Sequence, residues 1–170
     1  MMAFKQLINR VLIYYTGAVT REVLSDRPIQ TGALPWRLGR KQRLEVLLVT
    51  GRRSRRWIIP KGWPMVGKSL SESAAEEAFE EAGVRGRIDA DPIGSFNHTK
   101  QHLPFGTLDV RILVHSMNVE REFPKWPEFG QRRRKWFSIK EATARVDSEE
   151  LRTLIIQSAE RALAEKNPAK

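Results

Sequence analysis

The amino-acid sequence predicts an α+β fold, an α/β/α sandwich in which a mixed sheet carries helices on both faces. Three observations predict it. Strand-length apolar segments come in antiparallel-looking runs, one helical segment is inserted among them near mid-chain, and the remaining helical segments gather at the end. The 170 residues suffice for one domain with a real core, and 41% of them are hydrophobic, a globular composition rather than a disordered one.

Residues 1–27 read as an N-terminal helical extension and residues 28–170 as the main domain. The opening segment, MMAFKQLINRVLIYYTG, predicts a short amphipathic helix. Its unbroken apolar run, Val11 to Tyr15, is short for a signal peptide, and Lys5 and Arg10 interrupt the rest. The expected partner of this helix is the domain itself or a second copy of the chain in a homodimer; membrane-surface attachment is the alternative. QTGALPWRL (30–38) reads as a strand placed at a sheet edge, because Pro35 cannot donate to a ladder. RLEVLLVTG (43–51) is a buried strand, GRRSRR (51–56) a turn, and RWIIP (56–60) the returning strand, a hairpin with a basic tip. Trp57 opens that returning strand and is expected in the core. A loop, PKGWPMVGK (60–68), leads to the central helix. GRIDADPIGSFNHT (86–99) and TLDVRILVHSMNV (107–119) read as two long strands, and KWFSI (135–139) as a last one. Ser138 and Glu141 form a capping-box pattern at a short helix. The final helix, from Ser148 to Lys166, has Leu151, Leu154, Ile155, Ala159 and Leu163 on one side.

The chain contains no cysteine, which excludes disulfides, thiolate catalysis and Cys-ligated zinc. That usage fits a reducing compartment, and the expected localisation is cytoplasmic. No apolar run approaches the length of a membrane span. The formal charge is +10, and GRRSRR and QRRRK (131–135) hold eight of the 30 Lys and Arg. Such clusters suit phosphate-rich partners. Nucleotides, polyphosphates, nucleic acid and acidic membranes are all such partners, and solubility alone is the plain alternative.

Against this basic background, EEAFEEAG (76–83) concentrates four glutamates. Ser69 is a good N-cap with Glu72 three residues on, and Gly83 is placed to end the helix in a left-handed turn. Ala75, Ala78, Phe79 and Ala82 fall on one side. Glu77, Glu80 and Glu81 project from the other at i, i+3 and i+4, flanked by Glu76. Each like-charged pair at this spacing costs about 0.2–0.5 kcal/mol. No Lys or Arg between Glu72 and Glu81 offsets the repulsion, and Arg85 lies past the helix end. A solvated acidic surface is one reading; a hard divalent cation held by the carboxylates is the other.

Read with its upstream loop, GWPMVGKSLSESAAEEAFEEAGV (62–84) resembles the signature of the Nudix hydrolases. That signature is Gly, five residues, Glu, seven residues, then Arg-Glu-aliphatic-x-Glu-Glu-x-Gly-aliphatic. Gly62, Glu77, Glu80, Glu81, Gly83 and Val84 fall in register, and Ala78 takes the aliphatic position. Lys68 stands where the signature has its first Glu, and Glu76 where it has its Arg. Two readings of the second departure stand: reduced activity, or a basic residue from elsewhere in the fold in place of that Arg. LEVLLVTGRRSRRWIIPKG and RRRKWFSIKEA are similar to the diphosphoinositol polyphosphate phosphohydrolase branch, over residues 30–145.

The resemblance implies a Nudix-type sandwich and a Mg²⁺- or Mn²⁺-dependent hydrolase. It would cleave phosphoanhydride bonds of a highly phosphorylated small molecule, a diphosphoinositol polyphosphate or a dinucleoside polyphosphate, and no specific nucleic-acid partner is expected. It implies Glu77, Glu81 and the Lys61 backbone carbonyl as metal ligands and Glu80 as base. Arg52, Arg53, Arg132 and Arg134 are the candidates for phosphate contact, since their guanidinium forks suit bidentate binding. Glu128 is a candidate further carboxylate; His98 and His102 are loop histidines. Lys68 and Glu76 favour an alternative, a catalytically impaired Nudix-fold module that binds polyphosphate or RNA.

Overall fold

The computed structural model describes residues 27–101 and 106–166. The helix expected in the N-terminal segment and His102 lie outside them. Strands β1 (Ile29–Leu38), β2 (Leu44–Thr50), β3 (Trp57–Ile58) and β4 (Lys61–Gly62) precede helix α1 (Leu70–Ala82). Then come β5 (Val84–Ile88), β6 (Gly94–Gln101), β7 (Thr107–Glu122), β8 (Arg134–Ser138), α2 (Ile139–Arg145) and α3 (Glu149–Lys166). The described strands join one mixed sheet. β1 and β7 run parallel from Ile29↔Arg111 to Trp36↔Asn118, and all other pairings are antiparallel.

Two apolar clusters, one on each face, make the layers of the sandwich. Residues alternate along β2: Val46 and Leu48 join the cluster under α2 and α3, while Leu47 and Val49 join the one under α1. Burial on both faces explains why β2 is almost continuously apolar. On α1, Ala74, Ala78 and Ala82 are fully buried, so small side chains let the helix lie close on the sheet. The centre of that face is one residue removed from the expected set, with Ala75 and Phe79 at its margin. On α3, Leu151, Leu154, Ile155 and Ala159 are buried as expected. Ala162 completes the stripe instead of Leu163, which is 46% exposed.

Two strand expectations are corrected. β1 is central, not an edge, because it pairs with β7, β2 and β4. Pro35 is tolerated there because it falls where one side of β1 changes partner. Thr31 and Gly32 pair with β4, and Trp36 to Leu38 with β2. The segment 86–99 is two strands rather than one. Ile88 pairs with Met117 and Gly94 with Val114, so the residues between them loop out. Pro92, which has no N–H to pair, lies in that loop.

The segment after β7 is fastened to the C-terminal end of α1. Phe123 N–H donates to Gly83 O at 2.8 Å, and Gly83 takes the left-handed turn with φ 62°. Arg134, a candidate for phosphate contact, is committed here instead. Its Nη1 donates to Ala82 O (2.5 Å) and Gly83 O (3.2 Å), its Nη2 to Phe123 O (3.0 Å), and its guanidinium lies 4.0 Å from the Trp126 ring centre. A cation satisfying the last carbonyls of a helix also complements its dipole. Arg134→Ala is expected to lower the unfolding free energy by about 2 kcal/mol, read from urea denaturation. An unchanged midpoint and slope would show that these bonds contribute nothing to stability.

Candidate active site

Helix α1 begins where the sequence places its start. Ser69 accepts from Glu72 N–H, Glu72 accepts from Ser69 N–H, and the box closes. The preceding loop is tied down as well: Met65 N–H donates to Ser73 Oγ at 3.0 Å, and Thr31 Oγ1 on β1 donates to Leu70 O at 2.9 Å. The loop itself starts with β4, whose Gly32↔Lys61 and Thr31↔Gly62 pairs register it against β1.

That register brings β4 against the acidic face of α1. A methyl group built at Gly62 would come within 1.7 Å of Glu77 Oε1, so any side chain there would push this carboxylate out of its present position. One turn on, Glu81 Oε2 accepts from the Lys61 N–H at 3.2 Å. Glu81 is 5% exposed and forms a salt bridge with Arg132, whose own side chain is buried. Arg132 also pairs with Glu128 and donates to Thr50 O at 3.0 Å. Glu128 reaches the site because its N–H donates to Glu80 O at 3.0 Å. Among the described residues, no hydrogen bond or ion pair holds the Glu77 or Glu80 carboxylate.

The structure thus assembles Glu77, Glu80, Glu81, Lys61, Arg132 and Glu128. Arg52, at the hairpin tip, joins them through Glu128 at 3.4 Å. Arg53 stands exposed at the same tip. Glu76 is drawn away, to Lys68 at 3.0 Å and Arg85 at 3.2 Å. The expectation of unrelieved repulsion is therefore corrected: Lys68, Arg85 and Arg132 compensate two of the four glutamates. Arg132, from a loop about fifty residues downstream, brings a basic side chain to Glu81.

Burial pushes the Glu77 carboxyl up to about 7, reinforced by Glu81, Glu80 and Glu128 and opposed by Lys61. Burial likewise raises Glu81, against the pull of Arg132, Lys61 and the Lys61 amide. Across from the acids lie basic groups. Burial lowers Lys61, with Glu81 pulling the other way. It brings Lys100 down to about 8 and His98 to about 4, each lowered further by Lys61. Lys100 Nζ lies 5.4 Å from the centre of the Trp63 ring. Lys100 escaped the sequence reading; its position two residues along the strand from His98, on the same side, was the available signal.

Among the described residues, no three His, Asp or Glu side chains close around one point as a metal cluster. The donor set nevertheless fits a hard divalent cation. It offers carboxylate oxygens at one strand end, and Glu77 is a half-buried carboxylate with no cation of its own. Glu77, Glu81 and the Lys61 backbone would hold the ion.

Two outcomes follow. Gly62→Ala is expected to retain the fold and weaken Mn²⁺ binding about 10–100-fold by calorimetry, the effect of losing a group that orients a ligand. The Glu77 proton is bound more tightly in the folded than in the unfolded chain, whose carboxyl titrates near 4.5. Its stabilising contribution is therefore complete below pH 4.5 and is lost as pH rises to about 7. Metal-free protein should lose thermal stability across that window, and Glu77→Gln should flatten this part of the profile.

The profile of the NUDIX domain matches residues 28–156. The chain is 30% identical over 124 residues to Nudix hydrolase 4 of Arabidopsis thaliana, covering 65% of this chain and 55% of that protein. It is 32% identical over 103 residues to diphosphoinositol polyphosphate phosphohydrolase 3-beta of Bos taurus, covering 58% of this chain and 57% of that protein. It thus spans little more than half the length of these two relatives. Among solved structures, a C. elegans Ap4A hydrolase has the same fold, with a TM-score of 0.56 at 18% identity over 81% of this chain and 99% of that one. With its domain profile matched and its loop, acidic helix and mixed sheet arranged as described, the chain belongs to the Nudix family.

Proposed function

We propose that this chain is a Mg²⁺- or Mn²⁺-dependent pyrophosphohydrolase acting on a highly phosphorylated small molecule. The observation that carries the reading is the juxtaposition of Glu77, whose carboxylate is in no described ion pair or hydrogen bond, with the basic groups of Lys61, Lys100 and Arg132 around the same acids. A divalent ion bound there would polarise phosphoryl oxygens and lower the pKa of bound water. Glu80 is the base: its side chain is held by no described partner and can accept the proton of the attacking water. The new bond joins water oxygen to phosphorus, and the anhydride P–O bond breaks; the leaving group departs as inorganic phosphate or an inositol phosphate from a diphosphoinositol polyphosphate, or as a nucleotide from a dinucleoside polyphosphate. Arg52, paired with Glu128, and Lys100 lie near the acids, Arg53 stands exposed at the same hairpin tip as Arg52, and this density of cations favours a substrate with several phosphates. The similarity to a diphosphoinositol polyphosphate phosphohydrolase supports that class.

The protein should be incubated with Mg²⁺ or Mn²⁺ and a panel of diphosphoinositol polyphosphates, dinucleoside polyphosphates and nucleotide sugars. Metal-dependent cleavage of the first two is the expected result, read as inorganic phosphate from a diphosphoinositol polyphosphate and as two nucleotides from a dinucleoside polyphosphate. Glu80→Gln should lower turnover about 10²–10⁴-fold with the fold intact. Tight binding without products would instead assign a polyphosphate-binding module, and near-normal turnover by Glu80→Gln would move the base elsewhere.

A further inference from the structure

Lys68 and Glu76 occupy the two positions where this chain departs from the signature, and each carries the opposite charge to the residue expected there. The fold brings these two positions into contact: Lys68 Nζ lies 3.0 Å from Glu76 Oε2. Two independent losses of a functional group would leave each side chain without a complement. A paired exchange of sign leaves the attraction intact, because Coulomb energy depends on the product of the charges. We infer that Lys68 and Glu76 form one charge-exchanged clamp that positions the loop between β4 and α1, so the two departures are a single compensated change and not a mark of an inactive site.

Three further observations carry the inference. Glu76 bonds with both of its oxygens, Oε2 to Lys68 and Oε1 to Arg85 Nη2 at 3.2 Å, which turns it away from Glu77 and out of the metal-facing set. Arg85 in turn lies 4.1 Å from the Phe79 ring centre, so the clamp is anchored to both ends of the helix surface it spans. Lys68 is at the end of a tightly folded turn, its N–H donating to Met65 O at 3.2 Å, and Met65 N–H donates to Ser73 Oγ at 3.0 Å. That loop begins at Gly62, the residue against which Glu77 rests. Lys68 and Glu76 are positioning residues: they hold the loop, and the loop holds the space for the Glu77 carboxylate.

Charge reversal tests the clamp. Lys68→Glu and Glu76→Lys, made singly, place like charges face to face. Each should speed hydrogen exchange of the amides at positions 65 and 68, and weaken Mn²⁺ binding in calorimetry, by about fivefold. The double variant Lys68→Glu/Glu76→Lys should return both readouts to within about twofold of the parent, with Arg85 turning to solvent. The neutral variants Lys68→Met and Glu76→Gln should show smaller losses of about twofold and keep the comparison open if a reversed single variant unfolds. A double variant as impaired as its worse single parent would overturn the clamp, as would single and neutral variants indistinguishable from the parent. The inference rests on the proposed activity only for its Mn²⁺ readout. If the parent protein binds no Mn²⁺, the activity reading fails, while the exchange comparison still decides the clamp.

Discussion

The site depends on the contact between the Glu77 carboxylate and the backbone of Gly62. It is a packing constraint before it is a chemical one: a side chain at position 62 would collide with an oxygen of Glu77. The contact sets where the Glu77 carboxylate rests beside β4, and one turn on Glu81 accepts from the Lys61 N–H of the same strand. Because β4 is only two residues long, its place comes from its ladder with β1, where Thr31 also holds the first turn of α1. A short strand, a glycine and a helix cap thus set distances among groups that would otherwise repel one another apart.

The remaining repulsion is managed by cations from distant parts of the chain. Arg132, Arg133 and Arg134 are adjacent in sequence, yet the alternation of an extended chain sends them to different tasks. Arg132 enters the acidic site and bridges Glu81 and Glu128. Arg133 points toward Trp57, on the side of the sheet covered by α2 and α3. Arg134 closes the end of α1. One basic run therefore supplies a site cation, a surface contact and a helix cap. A desolvated ion pair such as Arg132–Glu81 is weak evidence for stability, since burial costs nearly cancel attraction. Its plainer consequence is geometric, since it seats the 123–133 loop over the acids.

Glu77 and Glu80 stay without a described cation while Glu76 and Glu81 have theirs. This division follows from where each side chain leaves the helix. Glu76 is directed at the loop carrying Lys68, and Glu81 at the strand end and Arg132. Glu77, between them, lies against the Gly62 backbone and is surrounded by the charges of Glu81, Glu80 and Glu128, so burial and these neighbours hold its proton against the opposing pull of Lys61. An exposed helix surface would not sustain that state, because water would screen the carboxylates.

Local chemistry was legible in the sequence. Both capping boxes and the left-handed Gly83 were read from spacing and residue type, since each rests on interactions within a few positions of the chain, and the buried β2 and the layered arrangement were read from the apolar pattern of the segments. So was the set of Glu77, Glu80 and Glu81, which one helix must present together. What the tertiary structure alone decided were partnerships across long stretches of chain. They include the central place of β1 despite Pro35, the break between β5 and β6, the arrival of Lys100, Glu128 and Arg132 at the acids, and the departure of Arg134. The physical reason is that periodicity states which way a side chain points, whereas the charge or carbonyl it meets there is supplied by strand pairing and loop docking.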